Sequence, residues 1–151
     1  MEFLPAALQD TMAMPVGTAV SRLVMAGALG AVIGLDREAG DHAAGLRTHI
    51  LVSLAACLFT LIAFELFERF SGDGGQTDPI RVIEAVTAGV AFLAAGSIIH
   101  ARGSVRGLTT GAGMWLAGAV GLAVGAGLYL IAIAATVLAL IILFLMKRLE
   151  P

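Results

Sequence analysis

The sequence predicts an all-α membrane protein, a polytopic bundle of about five transmembrane helices. The strongest observation is a stretch of 39 residues, Leu108–Met146, that contains no Asp, Glu, Lys, Arg or His. One helix of that length would be nearly twice as long as the roughly 30 Å hydrocarbon layer is thick. Composition agrees, because 59% of the residues are hydrophobic and only 13% are charged. A soluble chain of this size could not bury so much apolar surface.

Each predicted span is an apolar run bounded by charged or turn-forming residues. The runs are Val16–Leu35, Ile50–Phe64 with an extension to Phe67, Ile80–Ile99, Leu108–Gly125 and Leu128–Met146. Gly125-Ala126-Gly127 divides the longest run, since glycine favours a tight turn between two helices. Residues 1–15 are interpreted as an interfacial N-terminal segment, 16–146 as the transmembrane domain and 147–151 as a short cytoplasmic tail.

The basic residues between the spans predict an orientation. One side of the bundle would hold Arg37, Arg47, Arg102, Arg106, Lys147 and Arg148, whereas the other would hold Arg22, Arg69 and Arg81. Cytoplasmic loops of membrane proteins carry the excess of Lys and Arg. We therefore expect a cytoplasmic C-terminus and an exterior N-terminus. The outer segment Glu65–Pro79 is acidic and rich in glycine, which is typical of a solvated surface loop.

A short motif recurs at the start of two spans that run outward. Gly45-Leu46-Arg47-Thr48 precedes the second span, and Gly107-Leu108-Thr109-Thr110 precedes the fourth, 62 residues later. The spacing favours a parallel repeat of two helical hairpins followed by a fifth helix. A chance match of four residues is the alternative.

Small residues predict where helices pack. Gly30 and Gly34 belong to a four-residue spacing on the first span, and Gly113 and Gly121 belong to a longer one on the fourth. Such stripes let helix backbones approach closely in a membrane. The partner of each stripe could be another helix of this chain or a second copy in a homodimer.

The densest group of polar residues is predicted to form a cluster at the cytoplasmic boundary. Its members are Asp36, Arg37, Glu38, Arg47, Thr48, His49, Arg106, Thr109 and Thr110. We expect opposite charges to pair across the loops and the threonines to cap helix starts. Three interpretations remain open: a salt-bridge cluster that locks the loops, a site for phosphate, a lipid headgroup or an acidic partner segment, and a divalent-cation site.

The divalent-cation interpretation uses Asp36, Glu38 and Asp41 with His42 or His49, since oxygen ligands suit magnesium and calcium. Neighbouring arginines oppose it. Elsewhere, Arg81 and Glu84 have the spacing of an ion pair on one helix. The hydroxyls of Ser53, Thr60, Thr87 and Ser97 would either line a passive ion pathway or bond their own helix backbones.

The sequence shows no nucleophile–base pair, phosphate-binding loop or metal-ligand spacing. We therefore expect no enzyme activity, no catalytic residues and no cofactor. The net charge of -2 also gives no reason to expect nucleic acid as a partner. An interaction protein of the membrane and a small ion transporter or channel subunit are the two functional hypotheses.

Several motifs resemble the signatures of the MgtC/SapB family. They are Gly34-Leu35-Asp36-Arg37-Glu38, Ala44-Gly45-Leu46-Arg47-Thr48-His49 and Val105-Arg106-Gly107-Leu108-Thr109-Thr110, with Gly89–Gly96 and Ala123–Tyr129 in the same pattern. The resemblance implies a bacterial inner-membrane protein linked to growth in low magnesium and, in pathogens, to survival within macrophages. It also implies that some members act on the F-type ATP synthase rather than transport magnesium. Asp36 stands where the family usually has Glu, and the chain looks like a short form without the C-terminal soluble domain.

Overall fold

The computed structural model describes residues 13–38, 42–70, 78–101 and 104–149. They form α1 (Val16–Glu38), α2 (Leu46–Phe70), α3 (Pro79–Ser97), α4 (Leu108–Gly125) and α5 (Tyr129–Leu149). The strands β1 (Ile99–Ala101) and β2 (Ser104–Arg106) form an antiparallel hairpin between α3 and α4. All five helices are long and apolar enough to cross a membrane. The predicted fold class is confirmed, and the chain is a multi-pass membrane protein.

The helix boundaries differ from the predicted ones mainly at charged residues. Helix α1 continues past the predicted end at Leu35 to Glu38, and α2 begins at Leu46 and continues to Phe70. Glu65 is therefore part of a helix and not of the predicted outer loop. Its carboxylate accepts hydrogen bonds from the backbone N–H groups of Ala13 and Met14, and these bonds stabilise its charge at this position of the helix. The predicted interfacial segment lies mostly outside the described residues, which begin at Ala13.

Helix α4 is the centre of the bundle and contacts each of the other four helices. It combines small residues, which admit neighbouring backbones, with a few larger ones that fill the remaining space. Ala117 and Val124 are completely buried, and Val120 is nearly so. This packing explains why α4 is the helix with the largest buried fraction.

Helices α1 and α4 both pack against the backbone of α2. A Cβ atom on Gly30 would lie 2.7 Å from the carbonyl oxygen of His49, and one on Gly34 would lie 2.8 Å from the Cα of Leu46. From the other side, a Cβ on Gly121 would collide with the carbonyl oxygen of Ser53. Both small-residue stripes thus lie against the same helix of this chain.

The turn between α4 and α5 is held by backbone hydrogen bonds and by Arg22. Gly127 has a φ of 81°, its N–H bonds to the carbonyl of Val124, and the N–H of Leu128 bonds to the carbonyl of Ala123. This pattern is the Schellman motif that ends helices at a left-handed glycine, so the predicted tight turn is confirmed. The Arg22 guanidinium donates to the carbonyl of Gly125 at 2.7 Å, which ties α1 to the same turn.

Helix α3 packs mainly against α4 and has little contact with α2. Val90 of α3 packs closely against Gly118 of α4 in this interface: a Cβ atom on Gly118 would lie 2.9 Å from the Cγ2 methyl of Val90. The predicted third span ends two residues early, at Ser97, and the β1–β2 hairpin takes the place of the expected loop. A groove therefore remains open between α2 and α3.

Candidate functional site

The candidate site lies where α1 ends and α2 and α4 begin, which we call the basic end of the bundle. Here the Nη2 atom of Arg37 lies 2.8 Å from a carboxylate oxygen of Asp36. The side chain of Arg37 is only 10% exposed, and that of Asp36 is 26% exposed. The expectation that these charges pair across a loop is wrong, because both residues belong to the last turn of α1 and pair with each other.

Glu38, in contrast, makes a contact across the loop between α1 and α2, and its partner there is a backbone N–H group. Its Oε2 atom accepts a hydrogen bond of 2.8 Å from the N–H of Leu46, the first residue of α2. A carboxylate at this position satisfies a free N–H group and suits the positive end of the helix. A Cβ on Gly45 would collide with the same Oε2 atom. The first glycine of the repeated motif is therefore needed for this close approach.

In the second copy of the motif the glycine is again needed for a close approach, but to different atoms. Gly107 precedes α4 with a φ of 89° and forms no side-chain capping bond. A Cβ there would collide with the carbonyl oxygen of Ser97, the last residue of α3. In both copies a glycine fits against the end of the preceding helix.

The predicted capping role of the threonines is wrong. Thr48, Thr109 and Thr110 all lie inside the first turn of their helices, because α2 begins at Leu46 and α4 at Leu108. Thr110 is buried and Thr109 is exposed. Glycine takes the position before each helix because a larger residue would strike the neighbouring helix end.

His49 is completely buried where α1, α2 and α4 meet. Its Nδ1 atom lies 2.8 Å from the carbonyl oxygen of Gly45 and must donate to it. Its Nε2 atom has no hydrogen-bond partner in the described part of the chain and lies beside Gly113, where a Cβ would be 3.0 Å away. The Nε atom of Arg37 is likewise buried without a partner there. Buried polar atoms are normally hydrogen-bonded. These two buried nitrogen atoms without partners are therefore an unusual feature of the basic end.

Arg47 and Arg106 do not join this network. Both side chains are exposed, and neither forms an ion pair with any residue that the structure describes. The expectation that they take part in paired charges across the loops is wrong. Arg47 is the second residue of α2, whose buried face begins with His49, and Arg106 ends strand β2.

The described residues do not assemble the divalent-cation site that was one of the three interpretations of the sequence. Among them, no three His, Cys, Asp or Glu side chains come together. Asp36 is engaged by Arg37 and Glu38 by the N–H of Leu46. The imidazole Nδ1 of His42 lies 2.8 Å from the carbonyl of Arg37, and Asp41 lies outside the described residues.

A second polar group, at the opposite end, was not predicted. The Nε atom of Arg22 donates to the hydroxyl of Tyr129 at 3.0 Å, in addition to its bond with Gly125. Glu65 accepts from Ala13 and pairs with Arg69. The signal in the sequence was an arginine one to two turns inside an apolar run, a position at which a membrane protein supplies a partner. We call this the acidic end, since Glu65, Glu68 and Asp78 lie there.

Comparison with known proteins identifies the family. A model described as the MgtC family matches residues 23–151, which include both copies of the repeated motif. The chain belongs to the MgtC family. SrpB of Synechococcus elongatus is 36% identical over 137 residues, covering 85% of this chain and 75% of SrpB. No solved structure matches this member of the family.

Two further relatives are longer than this chain. YhiD of Escherichia coli K12, provisionally named a magnesium transporter, is 34% identical over 125 residues, covering 82% of this chain and 58% of YhiD. MgtC of Brucella abortus strain 2308 is 39% identical over 109 residues, covering 72% of this chain and 43% of MgtC. The chain thus spans about half the length of these two curated relatives.

Proposed function

We propose that this chain is a non-enzymatic regulatory protein of the bacterial inner membrane, acting on magnesium homeostasis or membrane energetics through its basic end. The observation that carries the proposal is a division of roles among the charges there. Asp36, Arg37 and Glu38 are engaged within the bundle, whereas Arg47 and Arg106 are exposed and unpaired among the described residues. Two exposed cations beside helix starts suit an acidic segment of a partner protein.

The family supports the link to magnesium and suggests the partner. YhiD carries the name of a magnesium transporter, and the family resemblance includes members that act on the F-type ATP synthase. That enzyme is therefore the first partner to test, together with a second copy of this chain. Membrane partners are expected because 59% of the residues are hydrophobic and the exposed faces of the helices are largely apolar.

The alternative is a small magnesium transporter or channel subunit, which the name of YhiD favours. The packing supports regulation instead. The hydroxyl of Ser53 bonds to the carbonyl of Ala26, that of Thr60 to Ala56 and that of Ser97 to Ala94. Three of the four hydroxyls proposed to line a pathway are thus bonded to backbone, and the interfaces of α2 with α1 and α4 are closed at backbone contact.

Complementation tests the role of the exposed cations. In a strain that lacks this gene, the wild-type chain should restore growth at low magnesium, whereas the Arg47→Ala/Arg106→Ala double variant should reach the membrane but fail to restore growth. Arg148→Ala is the matched control, because Arg148 is also exposed but lies near the end of α5, against the ring of Phe144. Full complementation by the double variant would contradict the proposal.

Reconstitution separates regulation from transport. Purified protein in liposomes loaded with a magnesium-sensitive dye should show no flux above empty liposomes. A pull-down from native membranes should recover one membrane protein in stoichiometric amount, and the double variant should lose it. Saturable magnesium flux by the wild-type chain would replace the proposal with the transporter alternative.

Reporter fusions test the proposed orientation. Fusions after Arg47, Arg106 and Arg148 should report the cytoplasm, and a fusion near Gly74 should report the exterior, because basic loops stay inside. An exterior signal at Arg106 would contradict the orientation and place the basic end beyond the reach of cytoplasmic partners.

A further inference from the structure

A groove of about 640 Å³ runs between α2 and α3. Its volume falls within the roughly 300–1,000 Å³ of small-molecule sites. The walls are apolar: Ala55 and Phe59 line it from α2, and Ala85, Gly89 and Leu93 line it from α3. Gly89 leaves open space in it, because a Cβ atom built on Gly89 has no neighbour within 4 Å.

The groove has charges only at its mouth, at the acidic end of the bundle. Asp78 and Arg81 are its two charged lining residues, and both are exposed. One carboxylate oxygen of Asp78 caps the N–H of Ile80, which leaves the other oxygen without a partner among the described residues. The predicted ion pair between Arg81 and Glu84 is wrong, since no salt bridge joins them in the described chain. The mouth therefore presents one cation and one anion side by side.

The groove is long enough to hold an acyl chain and is slightly longer than one leaflet of a bilayer is thick. Arg81 and Leu93 are twelve residues apart on α3, which corresponds to about 18 Å along the helix axis. Half of the hydrocarbon layer is roughly 15 Å thick. Because α3 runs from Pro79 to Ser97, a chain that enters beside Arg81 and reaches Leu93 follows most of the length of this helix.

We propose that this groove binds one acyl chain of a zwitterionic phospholipid with a primary-amine headgroup, as in phosphatidylethanolamine. The phosphate contacts Arg81, and the ammonium donates to the free carboxylate oxygen of Asp78. A dipolar headgroup complements a mouth that carries both signs of charge. A helix of a second copy is about 10 Å across and would reach Gly89 only with side-chain tips, whereas a single acyl chain can follow the groove along its length.

Filling the groove from inside tests the proposal. Gly89→Phe places a ring where the acyl chain would lie and meets no neighbouring atom at its Cβ. Gly96→Phe is the matched control, because Gly96 lies on the same helix, also has nothing within 4 Å and does not line the groove. Native mass spectrometry of the purified full chain, with phosphatidylethanolamine or phosphatidylcholine added, counts the retained lipids.

We expect one phosphatidylethanolamine on the wild-type chain and on Gly96→Phe, and about tenfold weaker retention by Gly89→Phe. Arg81→Gln should weaken retention by roughly twofold to fivefold, the range for an exposed charge pair. Phosphatidylcholine should be retained less well by the wild-type chain, because its quaternary ammonium has no N–H to donate to Asp78.

Unchanged retention by Gly89→Phe would overturn the proposal, and equal retention of the two lipids would overturn the assignment of the headgroup. Efficient disulfide cross-linking of Gly89→Cys between two copies, without retained lipid, would assign the groove to a second copy instead. If Gly89→Phe fails to fold, Ala85→Phe fills the same groove from an exposed position of α3 and carries the test. None of these outcomes depends on the basic end, so the proposed regulatory function stands or falls separately.

Discussion

Helix α2 has a closed side and an open side, and glycines face it on both. On the closed side, Gly30 of α1 and Gly121 of α4 leave no room for a Cβ against the α2 backbone. On the open side, Gly89 of α3 meets nothing within 4 Å. Lipid tails are as apolar as the side chains, so helices in a membrane gain little from apolar contact alone. A glycine thus brings two helices to backbone contact only where a backbone lies opposite it.

The largest expected effect comes from forcing a side chain into the closed side. Gly121→Leu should lower the free energy of unfolding by about 3 kcal/mol or more, because its Cβ would strike the Ser53 carbonyl, which cannot move away as a side chain can. Thermal or denaturant unfolding in detergent without added phospholipid measures the loss. Gly89→Leu is the matched control and should be nearly neutral, since the groove accepts the side chain. Equal losses of unfolding free energy in the two variants would show that the open and closed sides of α2 do not differ in packing.

An intermediate effect is expected where α3 meets α4. Gly118→Ala places a methyl group about 2.9 Å from a Val90 methyl, but Val90 is a side chain and α3 is restrained mainly by α4. We expect a loss of about 1 kcal/mol, the low end for an overpacked core. Combining Gly118→Ala with Val90→Ala should recover most of that loss in the same unfolding assay. A loss as large as that of Gly121→Leu would mean that α3 is held as rigidly as α1.

The sequence predicts the spans well and their partners poorly. Apolar runs and the Gly125-Ala126-Gly127 turn depend on local chemistry, which a sequence displays directly. The environment of a glycine is displayed less directly: the four-residue spacing marks Gly121 as a packing position, but the helix opposite Gly121 and the open space beside Gly89 appear only in the structure. Burial of α4 at the centre of the bundle follows from the packing of all five helices. No alternation of polar and apolar faces indicates it, since α4 is apolar on every side.

The candidate site shows the same limit for charges. The sequence correctly places Asp36 and Arg37 beside each other, but helix α1 extends further than its apolar run and turns the predicted loop contacts into a contact within one helix turn. Arg47 and Arg106 were grouped with them because loops at one membrane surface lie near one another. Which way a side chain points depends on the face of the helix on which it lies. Arg47 is a residue of α2, because that helix begins at Leu46, four residues before its apolar run, and Arg47 lies off the buried face that begins with His49.

The smallest effect should come from a side-chain hydrogen bond within the closed side, that of Ser53. The hydroxyl of Ser53 donates to the carbonyl oxygen of Ala26 at 2.8 Å, which links α2 to α1. Hydrogen bonds between membrane helices contribute about 0.6 kcal/mol on average, so Ser53→Ala should lower the free energy of unfolding by roughly that amount. Thr136→Val is the control, because the hydroxyl of Thr136 bonds within its own helix, to Ala132, and its removal should not weaken an interface. Both variants are measured in the unfolding assay used for Gly121→Leu. If Ser53→Ala cost as much as Gly121→Leu, hydrogen bonding rather than backbone approach would hold the closed side, and the contrast with the open side would rest on the wrong interaction.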